Sequence, residues 1–293
     1  MKKQGKIAIL FLLPYLLIFL LFRVLPSLGG LAVSFFNWRL GGVPRYVRLD
    51  NYTKLFRDPM FWISLLNTAK LFLLTVPPLL VLSLLLAILL NGRFKGRKLV
   101  RTFSIVPYVL IPSIVGIMWK WLYDNNFGLL NYYIKLLGGK ATFWLTDQNV
   151  VLFSIALVVI WTYIGYNMIL FLAGLQGINT ELYEAAYIDG ANRVQAFFRV
   201  TLPLLKPVLM MVLTLTMVNV VQLFDLINVM TNGGPGTSTL TMVQYMYTSA
   251  FTHYEIGYGA AIQVCILLIL LILIVLQNRL LKRKVPGKGG QRR

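Results

Sequence analysis

Polar side chains are scarce inside the long apolar runs of this 293-residue sequence, so the few that occur define what chemistry the chain can do. The run "WTYIGYNMIL" puts Tyr163, Tyr166 and Asn167 at i, i+3 and i+4, along one helix face. Thr162 and Tyr166 make a second i, i+4 pair. The run "TMVNVVQLFDLIN" spaces Asn219, Gln222 and Asp225 three apart, and Thr216 extends the stripe. Amides, hydroxyls and aromatic rings in this mixture suit a sugar, which needs many hydrogen bonds and a flat ring for its C–H faces. Facing lipid, the aspartate alone would cost roughly 2–3 kcal/mol. The stripe is therefore expected to face a bundle interior or a partner subunit. The same groups also serve as interhelical bonds, worth around 0.6 kcal/mol each on average. The pattern alone leaves both roles open.

Groups for covalent or metal chemistry are missing. His253 is the only histidine, and Cys265 the only cysteine, so no internal disulfide can form. Metal sites need several clustered ligands. No G-x-x-x-x-G-K-[ST] motif occurs, and "GGPGTST" at 233–239 lacks its lysine and reads as a plain loop. Any energy from ATP must come from another subunit.

The elements that would hold these residues follow from composition. The chain is 58% hydrophobic and 13% charged, against about 25% charged in a soluble domain. Runs of about 20 apolar residues read as membrane spans, and six are expected, at 7–36, 66–90, 99–122, 149–175, 205–230 and 259–281. The net charge of +19 does not point to nucleic acid, because the bases flank the apolar runs and no soluble fold accompanies them. With the N-terminus inside, 18 Lys/Arg fall on inner segments and eight on outer ones, five of these in the first loop (37–64). The lysine-led start has no convincing cleavage site and reads as a retained anchor. Pro77–Pro78, Pro107 and Pro112 lie within spans, where irregular backbone needs protein or a cavity beside it; kinked helices around a passage are expected. The chain then divides into a first span with its external loop (1–65), a core of five spans (66–281) and a basic tail (282–293).

Residues 176–206 are too polar to span. Asn179 or Thr180 can cap a short helix, Glu181 and Glu184 suit its positive end, and Gly190 suits a left-handed stop. A second helical stretch is expected over 192–201, with Pro203 and Pro207 punctuating the start of the fifth span. So short a helix is unstable alone in water. It is acidic, with alanine at its centre, which favours docking on a protein over lying on a membrane surface.

The segment Glu184-Ala185-Ala186, Gly190, Val200 and Leu202-Pro203 resembles the EAA signature of permease subunits of binding-protein-dependent ABC importers, with valine where isoleucine is usual. "LDNYTKLFRDPMFWISLLNT", "NGRFKGRKLVRTFSIVPYVLIPSIVGIMWKWLYDNNFGLLN" and "TNGGPGTST…AFTHYEIGYGAAI" are similar to the carbohydrate-uptake branch, the relatives of the maltose permease. The external domain of the maltose subunit has no counterpart, since only about 28 residues separate the first two spans. The resemblance implies an all-α membrane protein with six spans, cytoplasmic termini and a cytoplasmic coupling helix between spans 4 and 5. It implies that Glu184, Ala185, Ala186, Asp189 and Gly190 couple to an ATPase. It also places Thr162, Tyr163, Tyr166, Thr216, Asn219 and Leu223 near a mid-membrane sugar; Gln222 and Asp225 join them by the stripe argument. Implied partners are a second homologous permease subunit, two ATPase subunits holding ATP and Mg, an extracytoplasmic solute-binding protein and the lipid bilayer of a prokaryotic plasma (inner) membrane. The function expected is import of a sugar, or of a solute such as glycerol phosphate. An ion-coupled transporter is the other class, but Asp225 is the one acid well inside a span and no repeat is visible.

Overall fold

The computed structural model describes residues 2–92 and 94–282, with the backbone alone for 2–10, 281 and 282. The basic tail expected beyond Lys282 lies outside the described residues. In chain order the elements are α1 (Lys2–Phe19), a π turn (Leu20–Val24), α2 (Leu25–Val33), strands β1 (Phe36–Asn37) and β2 (Arg45–Tyr46), α3 (Asp50–Arg57), α4 (Pro59–Asn91), α5 (Arg97–Val109), α6 (Pro112–Leu122), α7 (Leu129–Leu136), α8 (Val151–Gln176), α9 (Glu181–Ile188), α10 (Arg193–Ala196), a π turn (Phe197–Thr201), α11 (Leu202–Val221), α12 (Asp225–Met230), α13 (Met242–Tyr247), a π turn (Thr248–Thr252) and α14 (Ile256–Lys282). Five stretches are long and apolar enough to cross a membrane: Phe11–Val33, Pro59–Asn91, Val151–Gln176, Arg193–Met230 and Ile256–Leu280. The pair α5–α6 makes a sixth if counted as one span.

The prolines divide unexpectedly. Pro77 and Pro78 sit inside an unbroken α4, and Pro107 is buried inside α5. Only Pro112 marks a break, where α5 and α6 diverge by 101°. A proline drives the residue before it out of the helical region, and Ile111 is extended at ψ 128°. The second span also begins before the expected residue 66. Asp58 accepts a 2.9 Å bond from Met60 N–H, and Pro59 opens the helix, the usual pairing of an acidic cap with proline at the first helical position. The fifth span starts early too. Helix runs from Arg193 through the π turn and past Pro203 and Pro207, so these two prolines do not punctuate it. Its far end is broken: Gln222 closes α11, and Asp225 opens α12.

The chain forms two compact units, one of Met1–Trp62 with Tyr245–Leu268, the other of Ile63–Gln244 with Ile269–Arg293. In the first, Asn51 donates to the carbonyls of Ser34 and Phe36 at 2.8 and 2.9 Å, which ties α3 to the end of α2. Glu255 pairs with Arg39 at 2.7 Å and Lys54 at 2.8 Å, and Lys54 lies 4.3 Å over the Tyr258 ring. Asp58 accepts bonds from the hydroxyls of Tyr245 and Tyr258. Burial opposes ionisation of Asp58 and Glu255. It is outweighed by those hydroxyls with Met60 N–H at Asp58, and by Lys54 and Arg39 at Glu255. Both carboxyls therefore sit below their ordinary range. Burial and the bond to Asp58 push the Tyr245 hydroxyl up to about 12. In the second unit, α4, α6, α8, α11 and α12 share an apolar core that includes Leu71, Val115, Ile155, Val159, Val220 and Ile227.

Both acids have lowered values, so their stabilisation is present above the ordinary carboxyl range and is lost as pH falls through the folded-state values. Thermal unfolding of the detergent-solubilised chain between pH 7 and pH 3 should lose stability on acidification. Asp58→Asn should flatten that loss and lower the neutral-pH midpoint by about 2 °C, the scale of one partly exposed charged contact.

Candidate functional site

Helix α8 is the post on which the polar side chains are arranged. It runs antiparallel to α11: a Cβ on Gly174 would meet Leu205 and Val208, while Asn167, about two turns earlier on α8, pairs with Thr216 further along α11. That pairing is a 2.9 Å bond from Asn167 Nδ2 to Thr216 Oγ1, with both residues buried. On the same scale Asn219, one turn beyond Thr216, stands level with the turn of α8 that carries Tyr163. Against α8 lies α5. A Cβ on Gly165 would collide with the Ser104 carbonyl oxygen, so glycine there lets the α5 backbone touch α8.

That close approach brings Tyr108, near the end of α5, onto the two expected tyrosines. The Tyr108 and Tyr166 rings stack at 4.3 Å and 15°, and Tyr108 meets Tyr163 edge-on at 5.7 Å. Tyr163 and Tyr166 are half-buried, and Tyr108 is 38% exposed. Three rings thus form one partly open aromatic cluster. Sequence reasoning missed Tyr108, because its partners lie more than fifty residues away and nothing local distinguishes it from a membrane-interface tyrosine.

The other expected residues separate. Thr162 is buried and donates to Val158 O of its own helix at 2.8 Å. Thr216 is spent on Asn167, so that part of the stripe is interhelical bonding. Asn219 is half-buried, with its side chain one turn from that bond. Gln222, Leu223 and Asp225 do not continue the stripe on one face, since the helix stops at Val221. Gln222 and Asp225 are exposed, and Leu223 is packed in the apolar core. An acid opening α12 sits at the favourable end of that helix.

The polar segment 176–206 folds much as its residues direct. Of the two candidate caps, Asn179 is the one used: its Oδ1 accepts from Glu181 N–H at 3.2 Å, while the Thr180 hydroxyl makes no capping bond. Gly190 has φ +82°, and Gly190 N–H and Ala191 N–H bond back to Tyr187 O and Ala186 O at 3.0 and 2.9 Å. This is the Schellman stop for which glycine is the natural residue. Asn192 and Gln195 then cap each other to start α10. The Tyr183 hydroxyl bonds that of Thr201 at 2.9 Å and fastens α9 to the π turn leading into α11. Helix α9 leaves Leu182, Tyr187 and Ile188 exposed, Ile188 at 86%; Glu184, Ala185 and Asp189 are exposed as well, and Ala186 is half-buried.

Membrane-length helices around a seam of tyrosines and amides define an integral membrane permease. The chain belongs to the family of binding-protein-dependent transport system inner membrane components, whose pattern matches residues 71–285. A probable ABC transporter permease of Pyrococcus horikoshii is 37% identical over 271 residues, 91% of this chain and 92% of that protein. The sulfoquinovosyl glycerol transport system permease of Agrobacterium fabrum is 34% identical over 95% of this chain and 91% of its own length. The trehalose/maltose transport system permease of Thermococcus litoralis is 34% identical over 92% and 91%. A chain from the crystal structure of a bacterial ABC transporter that imports the acidic polysaccharide alginate has the same fold, with a TM-score of 0.84 over 97% of this chain and 98% of that one, at 24% identity.

A Gly165→Val substitution should force α5 off α8. Overpacking of this kind costs about 1–3 kcal/mol, so the melting midpoint should fall by about 3–10 °C. Asn167→Leu, which removes one interhelical bond, should lower it by no more than about 3 °C.

Proposed function

We propose that this permease carries a sugar, or a related polyol or glycoside, across a prokaryotic plasma (inner) membrane as one half of a two-subunit pathway. The aromatic surface of Tyr108, Tyr163 and Tyr166, with Asn219 level with it, is the observation that carries this reading. A hydroxyl-rich ring needs a flat apolar face and hydrogen-bonding groups at its rim. Few other placements of three tyrosines and an amide within spans meet both needs. Relatives named for sulfoquinovosyl glycerol and for trehalose/maltose transport support a saccharide. In this reading Thr162 and Thr216 shape the site from behind, and Leu223 backs it from the core. Gln222 and Asp225 stand toward its mouth.

The chain does no covalent chemistry in this scheme, and ATP and Mg belong to two ATPase subunits. Helix α9 is the coupling helix, with Glu184, Ala185, Ala186, Asp189 and Gly190 seated against an ATPase on the cytoplasmic side, where both termini also lie. The uncovered Leu182, Tyr187 and Ile188 support that seat, since so short a helix with exposed apolar residues gains stability from a protein partner. The Tyr183–Thr201 bond gives a route for force into α11. A solute-binding protein delivers the sugar outside. Binding protein and ATP favour one orientation of the helices, hydrolysis the other, and differential contacts in the two states drive transport. The coupling loop 176–206 is then the input of a five-span core (66–281). The segment 1–65 is its first span and outer loop, and 282–293 a basic cytoplasmic tail.

Glu184→Lys and Gly190→Pro should each abolish uptake and binding-protein-stimulated ATP hydrolysis while the chain still reaches the membrane. Normal coupling in both variants would overturn the docking role. Asn219→Leu and Tyr166→Ala should each reduce transport about tenfold, equivalent to about 1.4 kcal/mol, without loss of assembly. Unchanged uptake kinetics in both would overturn the sugar site. A ligand screen on the partner binding protein decides between a saccharide and sn-glycerol 3-phosphate.

A further inference from the structure

The loop "GGPGTST" has no role in the scheme above, yet it is built with unusual rigidity. Asn232, Gly233 and Gly236 have φ of +51°, +89° and +59°. Thr239 donates to Gly234 O at 2.8 Å and bonds the Thr231 hydroxyl at 2.8 Å, and Asn67 donates to Thr237 O at 2.7 Å. So fastened, the loop forms one wall of a cavity of about 320 Å³ through Thr231, Gly234 and Pro235. The opposite wall comes from the end of α6 and the turns after it: Lys120, Asp124, Asn125 and Thr146. This wall is also held in place. Asp124 Oδ1 accepts from the N–H groups of Asn126 and Phe127 at 2.8 and 3.1 Å, and Asn125 donates to the Thr146 hydroxyl at 3.2 Å.

These bonds use one oxygen of Asp124 and the nitrogen of Asn125. The second carboxylate oxygen, the amide oxygen and the Lys120 ammonium are left for a ligand. Lys120 and Asp124 line the same space without pairing; the ion pairs among the described residues lie elsewhere, at Glu255. Acceptors and an ammonium around a preformed space of this size are what neighbouring hydroxyl groups of a sugar ring bind. The cavity also adjoins an aromatic run. Tyr123, in its lining, is 5.2 Å from Trp119, which is 5.4 Å from Trp161 on α8. Trp119 Nε1 is buried along this run with no hydrogen-bond partner. Tyr123 bonds Ser154 O of α8, three turns before Tyr166, so the cavity stands about 18 Å along α8 from the tyrosine surface.

We infer that this cavity is a second saccharide subsite, where a sugar ring rests before it passes on to Tyr163 and Tyr166. The inference rests on the sugar reading of the tyrosine surface. It assigns Asp124 and Asn125 to hydroxyl recognition and gives the GGPG loop the task of holding the cavity open.

The test is protection of a cysteine at the cavity wall. Thr146→Cys is introduced with Cys265→Ser, and the complete transporter is reconstituted with its ATPases and binding protein. The rate of modification by a water-soluble maleimide is measured with and without maltotriose, trehalose or arabinotriose. Uptake of each sugar by the unmodified transporter is measured in parallel. A transported sugar should slow modification at least threefold. That protection should disappear in Asp124→Asn and in Asn125→Ala and persist in Tyr166→Ala; if Asp124→Asn fails to assemble, Asn125→Ala carries the comparison. Equal modification with and without a sugar that is taken up overturns the subsite and leaves the transport reading intact. Protection that survives both cavity variants overturns it as well, by placing the effect elsewhere. A binding-protein ligand screen that yields no saccharide, polyol or glycoside overturns the sugar reading and this subsite together.

Discussion

The contact between Gly165 and the Ser104 carbonyl sets the geometry on which the proposed pathway depends. Two helix backbones can touch only where one has no side chain, and a Cβ at Gly165 would occupy the place of that oxygen. Because α5 lies this close to α8, Tyr108 reaches the rings of Tyr163 and Tyr166. Four residues further on, Pro112 turns the chain through 101° into α6, whose Trp119 packs on Trp161 of α8 and whose following residue, Tyr123, donates to Ser154 O of α8. One glycine and one proline thus bring aromatic groups from two parts of the chain against different faces of α8.

Polar groups inside the spans have two fates, and the difference is burial. Asn167 and Thr216 satisfy each other in a dry contact, as do Thr162 and its own helix. Buried polar groups need such partners, and the Asn167–Thr216 pair links two helices. Asn219, Tyr163 and Tyr166 are only half-buried. A solute that brings its own hydroxyls can satisfy them without dismantling the bundle. The pinned pair lies one turn from the open residues, which gives the site a fixed back and a free front.

The loop between α8 and α11 solves a different problem. Its bonds are local: an asparagine cap, a glycine stop and a reciprocal Asn192–Gln195 cap. These shape a short helix without a hydrophobic core to rest on. The apolar residues it leaves uncovered, and the Tyr183–Thr201 bond that ties it to the next span, are the features on which its proposed coupling role rests.

The membrane spans and the cap and stop of α9 were legible in the residues because short-range physics decides them: hydropathy over about 20 positions, or bonds within one turn. The sequence alone determined that this is a polytopic helical chain with a small helix exposed between its fourth and fifth spans. Its EAA spacing pointed to the family. The face each polar residue would take was decided only by the tertiary structure. The regular three-residue spacing of Asn219, Gln222 and Asp225 promised one stripe, but the helix ends at Val221 and scatters them. Tyr108 joined the site, and Thr216 turned away from it, through contacts with residues some fifty positions distant. Such contacts depend on how closely two backbones approach, and periodicity along one chain segment carries no information about the surface it meets.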